Sequence, residues 1–264
     1  MTSGRENWKA TGQGAGKMSV RELPASPSVQ LGTLKAAIFD VDGVLLASPH
    51  EHAWREALNG ITDPNLFTTG MYQAHVAGKP RLAGARAVLQ ALGVPDDGRL
   101  AISYAERKQK WLEYLIQAGD VEAFTDALRL LQTVLSLGWP IAAASSSKNA
   151  NDMMRSVRRE CGQNLLEVFD VNVCGRDLPR GKPDPAIFLL AAKGLGVPPA
   201  HCFVVEDAPS GIEAARAGGM TGLGVARHND AASLRTAGAD LVVTSLDDVA
   251  VDELAEGRIA RTPA

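Results

Sequence analysis

Apolar positions along this chain fall into two kinds of run. Short uninterrupted ones, such as Ala36-Ala37-Ile38-Phe39, Ile141-Ala142-Ala143-Ala144 and Phe203-Val204-Val205, have the length and composition of strands buried on both faces. Elsewhere apolar residues recur every three or four positions, which predicts amphipathic helices. From residue 124 onward the two kinds alternate. They predict helix 125–137, strand 140–144, helix 149–160, strand 170–173, helix 185–194, strand 202–206, helix 209–217, strand 222–225, helix 230–237 and strand 240–243. Such alternation marks a parallel sheet with helices on both faces. Gly138, Gly194, Gly218 and Gly238 stand where four of these helices are expected to end.

Between residues 48 and 122 the alternation stops. Ala53-Trp54-Ala57-Leu58, Leu82-Ala85-Val88-Leu89-Leu92 and Trp111-Leu112-Leu115-Ile116 keep helical spacing, with no strand-like run among them. The expected organisation is therefore an α/β core over 33–47 and 123–250 interrupted by a helical insertion over 48–122. A mobile extension over 1–32 precedes it and a tail over 251–264 follows.

Composition narrows the function. A chain of 264 residues can bury a full core, and its 45% hydrophobic and 22% charged content is ordinary for a globular protein. A net charge of −3 lacks the clustered basic excess of a nucleic-acid binder, so no nucleic-acid partner is expected. Cys161, Cys174 and Cys202 have no metal-ligand spacing and leave one over in any pairing, which suits free thiols in a reducing compartment. No apolar run is long enough to span a bilayer and no apolar leader opens the chain. A cytoplasmic protein with no membrane partner is expected.

The chemistry is concentrated at strand ends, where ligands bind in an open parallel sheet. Asp40 and Asp42 close the first strand, and Gly43 lets the chain turn away. Two carboxylates there can hold a hard divalent cation, and the first can attack an electrophile while the second carries a proton; capping a solvated loop is the other use of such a pair. Ser145-Ser146-Ser147-Lys148-Asn149 turns polar where a helix begins. Hydroxyls, free N–H groups and the Lys148 charge suit an anion, with Ser147 as a plain N-cap the alternative. In Gly181-Lys182-Pro183-Asp184-Pro185, Asp184 fits a helix cap, and Lys182 has no carboxylate at helical spacing, leaving the surface or a phosphate. Glu206-Asp207 repeats the opening design, and four carboxylates at two strand ends repel unless a cation lies between them. Together these groups meet the demands of phosphoryl transfer, where the protein positions groups and stabilises charge.

In these residues the chain resembles the haloacid dehalogenase superfamily of phosphotransferases, over residues 34 to about 245. Asp40-Val41-Asp42-Gly43-Val44 matches its first motif, Ser145 the second, Lys182 the third and Glu206-Asp207 the fourth. Within it the chain is similar to the β-phosphoglucomutase group, which inserts a helical cap just after the first motif. The resemblance implies a Rossmann-like α/β core, Mg2+ held by Asp40, Asp42, Glu206 and Asp207, and an aspartyl-phosphate on Asp40. It also implies Asp42 as acid and base, Ser145 and Lys182 as catalytic partners, and a small sugar phosphate as substrate. The substrate contacts it implies are Ser146, Lys148 and Asn149 of the second-motif loop, and Arg81 of Gly78-Lys79-Pro80-Arg81, gripping a distal phosphate. Ser48 falls at the hinge, His52 at the position coupling cap closure to the second aspartate, and Lys108 near the sugar, although a lone helical lysine also fits a solvated face.

Two departures stand out. Ser48 replaces the group's frequent threonine, and Phe124-Thr125-Asp126 replaces an aromatic residue followed by Pro-Gly at the second hinge. A mutase would return the phosphoryl to a second sugar hydroxyl, with Arg81 holding the other phosphate; a phosphatase would give it to water. A receiver-like module using Asp40 as a passive acceptor leaves the insertion and Arg81 without purpose, and a dehalogenase needs neither Asp42 as proton donor nor acids for a metal. His50 and His52 do not share a helical face, so no zinc pair is expected.

Overall fold

The computed structural model describes residues 32–76, 79–158 and 162–263. The expected N-terminal extension up to residue 31, Gly78 and Cys161 lie outside the described residues. In chain order the elements are β1 (Ala36–Phe39), β2 (Leu46–Ala47), α1 (His50–Glu56), α2 (Thr69–His75), α3 (Arg81–Ala91), α4 (Arg99–Gln117) and β3 (Glu122–Ala123). There follow α5 (Thr125–Ser136), β4 (Ile141–Ala143), α6 (Ala150–Ser156), β5 (Val171–Asn172), α7 (Ala186–Leu195) and β6 (Cys202–Glu206). The chain continues through α8 (Pro209–Ala217), β7 (Thr221–Val225), α9 (Ala231–Thr236), β8 (Leu241–Val243) and α10 (Val251–Ala255).

Six strands form one parallel sheet in the order β5-β4-β1-β6-β7-β8, with Ile38 of β1 level with Ala142 on one side and Val204 on the other. Every residue of β1, β4 and β6 is buried, which is why these runs read as continuous rather than alternating. The period of two shows instead in the partners. Ala37 and Phe39 join Leu130, Leu131 and Met153 from α5 and α6, whereas Ala36 and Ile38 join Phe188, Ala191 and Ala214 from α7 and α8. The chain runs from β1 outward through β4 to β5, then crosses back to β6 on the other side of β1, so the crevice at the C-terminal ends of β4, β1 and β6 is a topological switch point.

The chain leaves and re-enters the sheet through the antiparallel pair β2 and β3, Leu46 opposite Ala123. Between them α1–α4 gather a cluster of their own from Trp54, Leu58, Phe67, Leu89 and Tyr104, and the Tyr104 hydroxyl donates to the Trp54 carbonyl at 3.0 Å. Leu112, Leu115 and Ile116 in the second half of α4 pack instead with Phe39 and Leu46.

Several expected boundaries shift for local reasons. Gly138 and Gly238 take the left-handed backbone just past α5 and α9, but α7 runs past Gly194 to Gly196, and the left-handed residue after α8 is Gly219 rather than Gly218. Gly194 is needed for a close approach: a Cβ there would lie 2.8 Å from Val171 of β5. The predicted helix over 149–160 stops at Ser156, because Val157 turns extended and Arg158 bridges to Asn164. Residues 251–263 are not a loose tail. Leu254 is fully buried, Val249 pairs with Arg261, and Gly32 donates to the Glu256 carbonyl at 2.9 Å.

Candidate active site

Asp40 leaves β1 still bonded into the sheet, its amide donating to the Val205 carbonyl at 3.0 Å. The side chain stands buried at the C-terminal edge. Lys182 reaches it from the loop before α7: Nζ lies 2.5 Å from Asp40 Oδ1 and also contacts Glu206 Oε1. The sequence offered Lys182 the surface or a phosphate. The fold places it almost out of solvent between two carboxylates that are 142 and 24 residues away. Glu206 is wholly engaged, since its other oxygen accepts from the amides of Asp207 and Ala208, each at 3.1 Å. Its carboxylate also rests on Gly211 of α8, where any Cβ would collide.

Burial pushes the Asp40 carboxyl up to about 7; Lys182 pulls against this, while Glu206 and Asp42 add to it. Asp207 is raised well above the ordinary carboxylate range by burial and by the neighbouring acids. It lies against Gly43, whose φ of 81° and lack of a side chain admit it.

Asp42 faces the other way, toward the helical segment. His50 at the start of α1 places Nε2 at 3.5 Å from Asp42 Oδ1, an oxygen that is buried with no hydrogen bond. His50 Nδ1 is 2.7 Å from Lys108 Nζ. Lys108 is 4% exposed and lies over the Trp54 ring, so it is no solvated helical lysine. When Lys108 is charged it can only donate, and the imidazole then carries its proton on Nε2, facing Asp42. Burial pushes Lys108 down to about 7, with Asp42 pulling it up and Arg81 pressing it further down. Burial raises the Asp42 carboxyl, but His50, Ser48 and Lys108 more than offset this and leave it below its usual range.

His50, rather than His52, is the histidine beside Asp42. His52 points outward, 3.1 Å from Asp120 Oδ2, into a groove of about 470 Å³ lined by Ser48, Glu51 and Glu122 beside the linker strands. The signal was readable in the spacing: His50 shares a helical face with the buried Trp54, and His52 shares one with Glu56. Tyr72 of α2 is a second residue that sequence reasoning missed; burial and the charges of Asp42, Asp207 and Glu51 push its phenol up.

Ser145 is buried just past β4, and its hydroxyl accepts from the Ser147 amide at 3.1 Å while keeping its proton to donate. Ser147 Oγ in turn accepts from the Asn149 amide at 3.3 Å. Ser146 is exposed, and Lys148 extends into solvent to pair with Asp177 at 2.8 Å. Asn149 faces the helical segment instead. Its Oδ1 accepts from Gln109 of α4 at 3.0 Å, and Gln109 accepts from exposed Arg81 at the start of α3. Gln109, unremarked in the sequence, thus joins Arg81 to the loop carrying Ser145.

The sequence led to the expectation that Asp40, Asp42, Glu206 and Asp207 hold a metal. Among the described residues no three His, Cys, Asp or Glu side chains gather as a metal cluster. Glu206 is taken by Lys182 and two amides, and the Asp42 side chain is turned to His50. What remains is the oxygen set of Asp40 and Asp207, the second of which has its proton affinity raised by the first, together with the Asp42 loop backbone. Such a set fits a hard divalent cation.

A buried acid gripped by a lysine at a sheet switch point, with a second acid answering to an inserted helical segment, is the architecture of one known class. The haloacid dehalogenase-like hydrolase family matches over residues 34–219, and the chain belongs to that family. It is 32% identical over 241 residues to the beta-phosphoglucomutase of Mycobacterium bovis, covering 82% of this chain and 91% of that one. The phosphorylated carbohydrates phosphatase of Thermotoga maritima is 29% identical over 216 residues, covering 80% of this chain and 94% of the other. Among solved structures, the archaeal beta-phosphoglucomutase of a hyper-thermophilic Pyrococcus aligns with a TM-score of 0.67 at 34% identity, over 83% of this chain and 96% of that one. The protein is an enzyme of the phosphotransferase or phosphatase type, built on this family's α/β fold.

Proposed function

We propose that the protein moves a phosphoryl group on a small sugar phosphate through an aspartyl-phosphate on Asp40, as a β-phosphoglucomutase does, with residues 48–122 serving as a cap over the core. Asp40 Oδ1 is held by Lys182, which leaves Oδ2 to attack phosphorus. Asp42, ionised beside His50 and Ser48, removes the proton from the hydroxyl that accepts the phosphoryl, and the acid so formed returns it to the leaving oxygen in the reverse half. Ser145 and Lys182 steady the phosphoryl oxygens. Asp40, Asp207 and the Asp42 loop backbone would hold Mg2+, which would supply charge neutralisation at those oxygens. Arg81 grips the phosphate that is not reacting, with Asn149 and Lys108 near the sugar. Free, buried Cys174 and Cys202 suit a reducing, cytoplasmic setting.

The observation that carries this reading is the line from Lys108 through His50 to Asp42. It ties the acid–base group of the core to two residues of the cap, so that proton transfer is in place only when the cap is. Such a device serves an enzyme that must keep its acyl phosphate from water until a second hydroxyl arrives.

The test follows glucose 6-phosphate and free phosphate together, from β-glucose 1-phosphate with a trace of its bisphosphate and Mg2+. Wild type is expected to yield mainly the isomer. Arg81→Ala is expected to shift the product toward free phosphate, because the cap loses its grip while Asp40, Asp42, Ser145 and Lys182 remain. A wild type that releases only free phosphate, unmoved by the substitution, makes this a phosphatase.

A further inference from the structure

Arg227 follows the apolar strand β7. Its side chain is 10% exposed. The guanidinium makes a fork on Asp126, with Nη1 at 2.7 Å from Oδ2 and Nη2 at 3.1 Å from Oδ1. Nε donates to the Gly43 carbonyl and Nη2 to the Val44 carbonyl, both at 3.2 Å. Its plane lies 3.9 Å from the centre of the Phe124 ring. Asp126 is equally committed: it accepts from the Leu246 and Ala127 amides at 2.8 Å and from the Ser245 hydroxyl at 3.3 Å.

These contacts fall on three places that bear on the chemistry. Gly43 and Val44 form the turn that carries Asp42 and leads into β2, the outgoing linker. Phe124 ends β3, the returning linker, and its amide donates to the Leu45 carbonyl at 2.9 Å. Gly43 also backs the Asp207 carboxylate. A buried ion pair contributes little net stability compared with apolar side chains of the same volume. A planar fork with several donors does, however, fix the relative placement of every group it touches.

We propose that Arg227 is a positioning residue, clamping the Asp42 turn and the core ends of both linkers so that the cap pivots from a fixed base. This rests on the reading of residues 48–122 as a cap. The clamp itself is tested without substrate.

The experiment measures hydrogen exchange and kinetics in wild type, Arg227→Met and Arg227→Lys. In Arg227→Met the amides of Leu45, Leu46 and Phe124 are expected to exchange about tenfold faster, the effect of losing one or two hydrogen bonds, while those of β4 and β6 keep wild-type rates. On whichever phosphate ester the wild type turns over, kcat is expected to fall about 100-fold with KM nearly constant, since misplacement by a fraction of an ångström acts on the reacting groups. Arg227→Lys retains the charge without the fork, and is expected to recover part of both. If the methionine variant does not fold, the lysine variant carries the same readouts. Exchange that is unchanged in both linkers, or that rises equally throughout the sheet, overturns the proposal, as does an unaltered kcat. A wild type inactive on every sugar phosphate defeats the functional reading alone, because the exchange measurement needs no turnover.

Discussion

Asp40 and Glu206 share one lysine, and this changes how charge is balanced at the site. From sequence the four acids call for a cation. In the fold a side-chain ammonium already meets two of them, and the Asp42 carboxyl answers to His50. Asp40→Asn keeps a hydrogen-bond partner for Lys182 but has no nucleophilic oxygen, so turnover and acyl-phosphate trapping are both expected to vanish in a folded protein. Trapping that persists in this variant removes Asp40 from its role. Lys108 allows a pH test. Its folded pKa of about 7 lies below the ordinary lysine value of 10.5, so between these limits the unfolded chain binds the extra proton. Stability contributed at this position then rises with pH across that window. Relative to Lys108→Met, wild type is expected to gain stability from pH 7 to 10 in urea titrations. A flat difference shows that Lys108 titrates normally.

Neighbouring residues of one helix can serve different contacts because each step turns the chain by about 100°. On α4, Lys108 points inward to His50 and Trp54, while Gln109 reaches Arg81 of α3 and Asn149 ahead of α6. This side chain links the start of α3 to the loop ahead of α6. Gln109→Ala is expected to raise KM for a sugar phosphate about tenfold, corresponding to ~1.4 kcal/mol for lost bonds to a charged group and an amide. Steady-state kinetics decide it, and an unchanged KM means that Arg81 needs no such support. The helical pattern of α4 was plain in the sequence. Which of its polar residues face inward was not, since a buried lysine and a solvated one occupy the same kind of slot until α1 packs across them.

At the scale of the whole molecule, the acids of β1 and β6 meet only because the two strands are adjacent in the sheet. A cation bound there by the native state alone stabilises it by mass action. At about 100-fold above its Kd, Mg2+ is expected to supply ~2.7 kcal/mol and raise Tm by about 5–10 °C. Asp207→Asn is expected to abolish most of that rise, and exhaustive chelation to stop turnover. A Tm indifferent to Mg2+ means that Asp40 and Asp207 do not form one cation site.

Local chemistry by itself determined the strands, most of the helices, the insertion after the first strand, and the reactive residues at strand ends. Burial on both faces writes continuous apolar runs, helices write a three-to-four spacing, and an abrupt acid after such a run is visible without any partner. Pairing between distant segments was decided by tertiary structure alone. Lys182 had no carboxylate at helical spacing and finds two in space. The family resemblance pointed to His52, yet the packing of α1 through Trp54 turns His50 toward Asp42. Glu206 stood beside Asp207 in sequence, and only the fold shows its carboxylate accepting from the amides of Asp207 and Ala208. Arg227 and Asp126 are 101 residues apart and form one buried pair beneath both linkers. Each of these depends on direction and distance across the sheet and the cap, and a one-dimensional pattern carries neither.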